Sequence, residues 1–151
     1  MKKHTIKEIN NMVSTKKEKI VKSLLDDSIN VHTASYTAVL KNAYQVIKRD
    51  GWKESSELTY EELGRVTGYS SNQIGNILNG KSRDLLALIK VMLALGIEPE
   101  ISIAILKSYG YIFDHRYLRD CILYNLLLYH YEEPYSDINE YLEYFGKNIK
   151  S

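Results

Sequence analysis

Apolar residues recur along this chain at intervals of three and four positions, and no segment shows the strict alternation that is typical of strands. This spacing predicts an all-α protein. One apolar stripe, formed by Val39, Leu40, Ala43 and Ile47, marks the first helix of a central bundle. The helices predicted beyond the N-terminal region are 34–49, two short helices within 58–80, 83–95, 99–108, 115–131 and 137–145.

The segment 58–80, with the sequence LTYEELGRVTGYSSNQIGNILNG, contains two signals for the start of a helix. Thr59 with Glu62, and Ser70 with Gln73, have the spacing of a capping box, in which each residue's side chain binds the other's backbone N–H. Two such signals in close succession predict two short helices joined by a tight turn.

Glycines occupy the two positions where a compact pair of helices needs them. Gly64 lies where the second helix would cross the first, and Gly68 lies at the turn, where a positive φ angle is needed. The inner faces of the pair would be formed by Leu63, Val66, Ile74, and Ile77 or Leu78. Together these features predict a helix-turn-helix, whose second helix would present its N-terminal residues to the major groove of DNA.

Residues 58–95 resemble the lambda-repressor and Cro-like helix-turn-helix family, often called the XRE family. The resemblance is carried by L-T-Y-E-E-L-G-R-V-T-G-Y-S-S-N-Q-I-G-N-I-L-N-G-K and by the following helix, which ends at Leu95-Gly96. It extends over roughly residues 34–105. The resemblance implies a lambda-repressor-like bundle that binds double-stranded DNA as a homodimer.

The resemblance also implies which side chains would touch DNA. Ser71, Asn72 and Asn76 stand at the positions that the family uses for base contacts, and Gln73 flanks them, although its capping role could occupy it. Asparagine and glutamine can pair with adenine through two hydrogen bonds, whereas arginine, which reads guanine, is missing from this set. We therefore expect a half-site that contains A·T pairs. Phosphate contacts would come from the two helix starts and from Tyr60, Asn79, Lys81 and Arg83.

The net charge of +1 is unevenly distributed along the chain. Residues 1–25 carry seven lysines and two glutamates, residues 34–100 carry eight basic and eight acidic residues, and residues 111–151 carry four basic and seven acidic residues. Such asymmetry is typical of a basic arm and an acidic tail. We predict three parts: a basic N-terminal helical arm at 1–33, a helix-turn-helix DNA-binding domain at 34–108, and a helical, tyrosine-rich extension at 109–151. The arm would either reach the DNA backbone or pack one face of a solvated helix on the core.

The extension holds nine of the thirteen tyrosines, between Tyr109 and Tyr144. The helix predicted at 115–131 is apolar around most of its circumference, which is typical of a helix that is buried on several sides. A subunit interface would bury it, so we expect the extension to form a homodimer or to bind a protein partner; packing of the tyrosines in the protein's own core is the alternative. The candidate interface residues are Tyr117, Leu118, Cys121, Ile122, Leu128 and Tyr129.

Catalytic and metal chemistry find no support in the sequence. The four histidines show no ligand spacing, the single cysteine makes neither a disulfide nor a zinc site, and no glycine-rich loop follows a strand. We therefore predict no enzyme, no metal and no cofactor. No apolar segment is long enough to span a membrane or to serve as a signal peptide, and the lone cysteine fits a reducing compartment, so we expect a cytoplasmic protein without a membrane partner.

Two functions are consistent with these patterns. The first is a sequence-specific regulator of transcription, by resemblance a repressor of phage or mobile-element type, that binds a pseudo-palindromic operator as a homodimer. The second keeps the fold but uses it to bind another protein, as an antitoxin, a mobile-element inhibitor or the partner of a regulator. The neutral central part and the acidic tail favour the second, as do three departures from the family pattern: Tyr60 in place of glutamine, Gly75 in place of serine and Leu78 in place of glutamate.

Overall fold

Regular structure in the computed structural model, which describes residues 36–149, consists of helices alone. The prediction of an all-α fold is confirmed for this part of the chain, whereas the N-terminal arm predicted at 1–33 lies outside it. The helices are α1 (Tyr36–Asp50), α2 (Tyr60–Thr67), α3 (Ser71–Leu78), α4 (Leu85–Leu95), α5 (Pro99–Ser108), α6 (Leu118–Tyr129), α7 (Tyr135–Tyr144) and α8 (Gly146–Ile149).

Several helix ends lie a few residues from the predicted positions. Helix α4 begins after Asp84, because the Asp84 carboxylate accepts a hydrogen bond from the Ala87 backbone N–H at 3.2 Å. Helix α7 begins directly after Pro134, two residues before the predicted start at Asp137. The short helix α8 has no counterpart in the sequence prediction.

Helix α4 lies at the centre of the fold. Eight of its eleven residues are buried, and it contacts α2, α3, α5, α6 and α7. One continuous cluster of buried side chains surrounds it and extends from Val39 in α1 to Ile149 in α8. The segments 34–108 and 109–151, which the sequence assigned to separate parts, therefore share one hydrophobic core in the described structure.

Most of the apolar surface of helix α6 is buried within the chain. Ile122, Leu123, Leu126 and Leu127 are buried against the core. The expectation that Ile122 belongs to a subunit interface is corrected, because only 9% of this residue is exposed and it packs inside the same chain.

A buried carboxylate organises the loop before α6. Asp120 accepts hydrogen bonds from the Tyr111 hydroxyl and, at 2.8 Å, from the Asp114 backbone N–H. Burial and the hydrogen bond with Asp120 raise the pKa of Tyr111 to about 12. These bonds hold the loop against α6, which is consistent with the helix beginning at Leu118 and not at the predicted residue 115.

Trp52, Lys53 and Glu54 form a clasp between the central helix and the C-terminal part of the chain. The Trp52 indole N–H donates to the Ala94 carbonyl at 2.8 Å, in the last turn of α4. At the other end, the Glu54 carboxylate accepts a hydrogen bond from the Tyr135 backbone N–H at 2.7 Å, at the start of α7. The first N–H groups and the last carbonyls of a helix lack partners within it, so the clasp satisfies groups that would otherwise be unpaired.

Lys53 stands in the middle of this clasp. Its ammonium donates to the carbonyls of Leu93 at 2.6 Å and Tyr131 at 3.0 Å, and to that of Glu133. One side chain thereby joins the C-terminal end of α4 to the turn between α6 and α7. Burial lowers the pKa of Lys53 from 10.5 to about 8, against the nearby carboxylates, which act in the opposite direction.

The lowered pKa of Lys53 predicts a specific pH dependence of stability. Between about pH 8 and 10.5 the unfolded chain retains a proton that the folded chain has released, so the contribution of this group to the free energy of unfolding rises with pH. We expect urea unfolding of the wild type, measured relative to Lys53→Met, to show this rise. If the free energies of unfolding of the two proteins change in parallel across that pH range, the prediction is wrong.

Candidate nucleic-acid interface

Helices α2 and α3 are joined by a turn of three residues, Gly68, Tyr69 and Ser70. Gly68 has the left-handed conformation, with φ +88°, and its N–H donates to the Gly64 carbonyl at 2.7 Å. Ser70 then returns to an extended conformation and precedes the first residue of α3. A residue with a side chain would be strained at Gly68, so the predicted role of this glycine is confirmed.

Gly64 allows the backbone of the turn to lie directly against α2. A Cβ atom added to this residue would lie 2.3 Å from the Tyr69 carbonyl oxygen. That distance is far below a van der Waals contact, and the atom it meets is backbone, which has little freedom to move. Any side chain here would therefore push the turn, and α3 with it, away from α2.

The two predicted capping boxes differ in the structure. The box of α3 is complete: the Gln73 N–H donates to Ser70 Oγ at 3.1 Å, and the Ser70 N–H donates to Gln73 Oε1 at 2.8 Å. The box of α2 is half formed, because Thr59 Oγ1 accepts from the Glu62 N–H at 3.0 Å while the Glu62 carboxylate pairs with Arg65 at 2.8 Å. The hydrogen bond with Arg65 lowers the pKa of Glu62.

All four predicted base-contact residues are exposed on α3. Ser71, Asn72 and Asn76 lie on the surface, while Ile74, on the side of the helix opposite Asn72 and Asn76, is fully buried. Gln73 is also exposed, but its side-chain carbonyl is engaged in the capping box. The remaining donors and acceptors lie on a helix without a charged residue, and the nearby Asp84 lines the same surface hollow as Gln73 and Asn76.

Tyr60 is placed differently from an ordinary phosphate contact. It is half-buried, and its ring packs edge-on against Tyr44 of α1 with 5.2 Å between the ring centroids. A Cβ atom on Gly75 of α3 would lie 3.6 Å from the same ring. Tyr60 thus fills the space between α1, α2 and α3, and the small residue at position 75 accommodates its ring.

The other three predicted phosphate contacts lie beyond the C-terminal end of α3. Asn79, Lys81 and Arg83 are exposed. The Arg83 guanidinium lies 5.8 Å from the centre of the Tyr109 ring, and the Lys81 backbone N–H donates to the Asn76 carbonyl at 2.8 Å. The three residues therefore follow the C-terminal end of α3 at the surface, and their contact with phosphates stays a prediction.

The predicted interface residues separate into three groups. Tyr117, Leu118 and Tyr129 are 62%, 58% and 71% exposed. Cys121 and Leu128 are half-buried, and the Cys121 thiol donates to the His115 carbonyl at 3.1 Å. The sixth residue, Ile122, is in the core as described above.

Sequence reasoning missed three further exposed apolar side chains. They are Ile112, Tyr141 and Tyr144, which are 73%, 38% and 81% exposed. With them, every large apolar side chain that is exposed in the described part of the chain lies between residues 112 and 144. Periodicity could not reveal this, because helical spacing distinguishes the faces of a helix but not which face remains uncovered.

Comparison with known proteins adds no relative: no family model, no curated protein and no solved structure matches the chain. Within residues 36–149, no group of three or more histidine, cysteine, aspartate or glutamate side chains could hold a metal ion. None of the helices in that part of the chain has both the length and the apolar composition needed to cross a membrane.

The contrast between Gly64 and Gly75 leads to a paired prediction. Gly64→Ala is expected to lower the free energy of unfolding by about 1–3 kcal/mol, because the added methyl group collides with backbone. Gly75→Ala is expected to raise it by up to about 1 kcal/mol, because alanine favours the helix and its Cβ makes an ordinary contact with Tyr60. Urea unfolding of both variants tests this, and effects of the same sign would contradict it.

Proposed function

We propose that the protein is a sequence-specific DNA-binding regulator of transcription in which α3 is the recognition helix. The observation that carries the proposal is the placement of α3: one face is locked into the core, Asn72 and Asn76 stand exposed on the other, and Ser71 is exposed in the first turn. The close approach at Gly64 and the complete capping box at Ser70 fix the position and the start of the helix. A rigidly held helix with exposed amides suits readout of base edges in the major groove.

Direct readout would provide most of the discrimination in this mechanism. Asn72 and Asn76 would each donate one hydrogen bond to an adenine and accept one from it. The Ser71 hydroxyl would donate or accept according to the base beside it. Few cations surround α3: the helix itself has no basic residue, and Arg65 is paired with Glu62, while the Lys90 ammonium lies 5.8 Å from the centre of the Tyr69 ring before the start of the helix. We therefore expect modest non-specific affinity and preference for A·T-containing half-sites.

The protein would bind its operator as a homodimer through the C-terminal helices. Tyr117, Leu118 and Tyr129 would form the exposed part of the interface, with Cys121 and Leu128 at its edge. Half-sites about 34 Å apart, one turn of the double helix, would match the two recognition helices. Occupation of such an operator would block transcription, as in the repressors of phage and mobile-element type that the sequence resembles.

A protein-binding module is the second candidate. It is favoured by the concentration of exposed apolar side chains between residues 112 and 144, because tyrosines with a large contact area are enriched at protein interfaces. In this alternative α3 keeps a structural role, and the partner binds the C-terminal helices. Salt separates the two candidates, since binding to DNA weakens steeply with salt concentration and a tyrosine-centred interface does not.

Selection from random duplexes at about 150 mM salt tests the first candidate at an ionic strength where screening is strong. We expect the wild type to enrich a motif with two-fold symmetry. Alanine at Asn72 or Asn76 should weaken binding to that motif by roughly 1–3 kcal/mol. Asn139→Ala, which removes an asparagine side chain from α7, outside the recognition helix and the predicted interface residues, is the matched control and should enrich the wild-type motif. Without enrichment by the wild type, the DNA-binding proposal fails.

The interface makes a separate prediction. Serine at both Tyr117 and Leu118 should shift the protein from dimer to monomer in sedimentation equilibrium while its circular dichroism stays unchanged, because both side chains are exposed in the single chain. Tyr144→Ser, which also removes an exposed tyrosine outside the predicted set, is the control and should remain dimeric. A dimer that survives the double substitution would place the interface elsewhere.

A further inference from the structure

A hydrogen bond connects α1 to the end of the proposed recognition helix. The Lys41 ammonium donates to the Asn79 side-chain oxygen at 2.9 Å, across 38 positions of sequence. The Asn79 amide nitrogen donates in turn to the Gly75 carbonyl at 2.8 Å, one of the last carbonyls of α3. Lys41 and Asn79 are both exposed, so this chain of hydrogen bonds lies at the surface.

These contacts leave Asn79 with fewer hydrogen-bonding groups for a contact with DNA. Its oxygen already accepts from Lys41, and one of its two amide N–H groups already binds Gly75. The backbone N–H groups of Asn79, Gly80 and Lys81 are also used, by carbonyls of α3. The end of α3 therefore presents few backbone or amide donors to a phosphate, and the cations beside it remain as the stronger donors.

We propose that Lys41 binds a DNA phosphate at this end of α3 and that Asn79 is the residue that positions it. The inference rests on the proposed DNA-binding function and assigns a phosphodiester contact to α1. An ammonium group has three N–H donors, and Asn79 accepts from one of them. With its ammonium held beside Asn79, Lys41 adds a cation to the end of α3, where Lys81 follows Asn79 by two positions.

The position of Lys41 on α1 is compatible with this role. Val39, Leu40 and Ala43 are buried in the core, whereas Lys41, which lies between them in the sequence, is exposed at the surface. Helix α1 also contacts α3 directly, and Tyr60 fills the junction between them through its contact with Tyr44. The packing that fixes α1 against α3 therefore also fixes the distance between Lys41 and the proposed base-contact residues.

Salt dependence distinguishes a phosphate contact from a structural one. A cation that neutralises a phosphate releases a counterion, and its loss reduces the slope of log K against log salt by about 0.9. Asparagine is neutral and releases none. A change of slope on substituting Asn79 can therefore arise only through a cation that Asn79 positions.

The test uses the full chain, the duplex enriched by the selection above and a scrambled duplex of equal length, at several salt concentrations. For Lys41→Gln we expect the magnitude of the slope to fall by about 1 for each subunit, and so by about 2 for the homodimer, with an equal loss of affinity on both duplexes, because a phosphate contact carries no sequence information. Lys41→Arg should restore the slope. Asn79→Ala should lower the slope in the wild type but not in the Lys41→Gln background. Circular dichroism establishes that each variant is folded.

The control is Lys107→Gln, which removes an exposed cation from α5, outside the recognition helix and the predicted interface residues. Its slope should equal that of the wild type. If the wild type binds DNA and Lys41→Gln leaves the slope unchanged, the inference is wrong and the proposed function stands. If the wild type shows no salt-dependent binding to either duplex, both fail together.

Discussion

The burial of α4 is the constraint on which the rest of the fold depends. A helix that is covered on nearly every side must be surrounded by other helices, and it must find partners for its last carbonyl groups away from water. Trp52 and Lys53 supply donors to the carbonyls of Ala94 and Leu93. Because Lys53 also binds the turn after α6, and Glu54 binds the start of α7, satisfying the central helix also ties the C-terminal helices to it.

The same packing gives α3 its rigidity. Helix α3 has only eight residues and includes a glycine, so it would be unstable by itself. Its stability comes from the fit of Ile74, Ile77 and Leu78 into the core and from the close approach to α2 at Gly64. A short helix held in this way can expose polar side chains without losing its shape, and direct readout of bases requires such preorganisation.

Much of the candidate site could be predicted because its determinants are local. The capping residues at Thr59 and Ser70 act within three positions of themselves, and Gly68 acts through its own φ angle. The clasp at Trp52, Lys53 and Glu54 could not be predicted, since its partners lie 40 to 81 positions away and a lysine in a polar loop is ordinarily solvated.

The sequence by itself determined that the described chain is helical, where α2 and α3 start and that positions 64 and 68 must be glycine, because periodicity, capping and backbone conformation act over one or two turns. Only the tertiary structure decided which faces remain uncovered. It buried Ile122 and exposed Tyr117 on the same segment, and it joined Lys41 to Asn79. These outcomes depend on which helices meet, and that is set by the shape of the whole core and not by any local pattern.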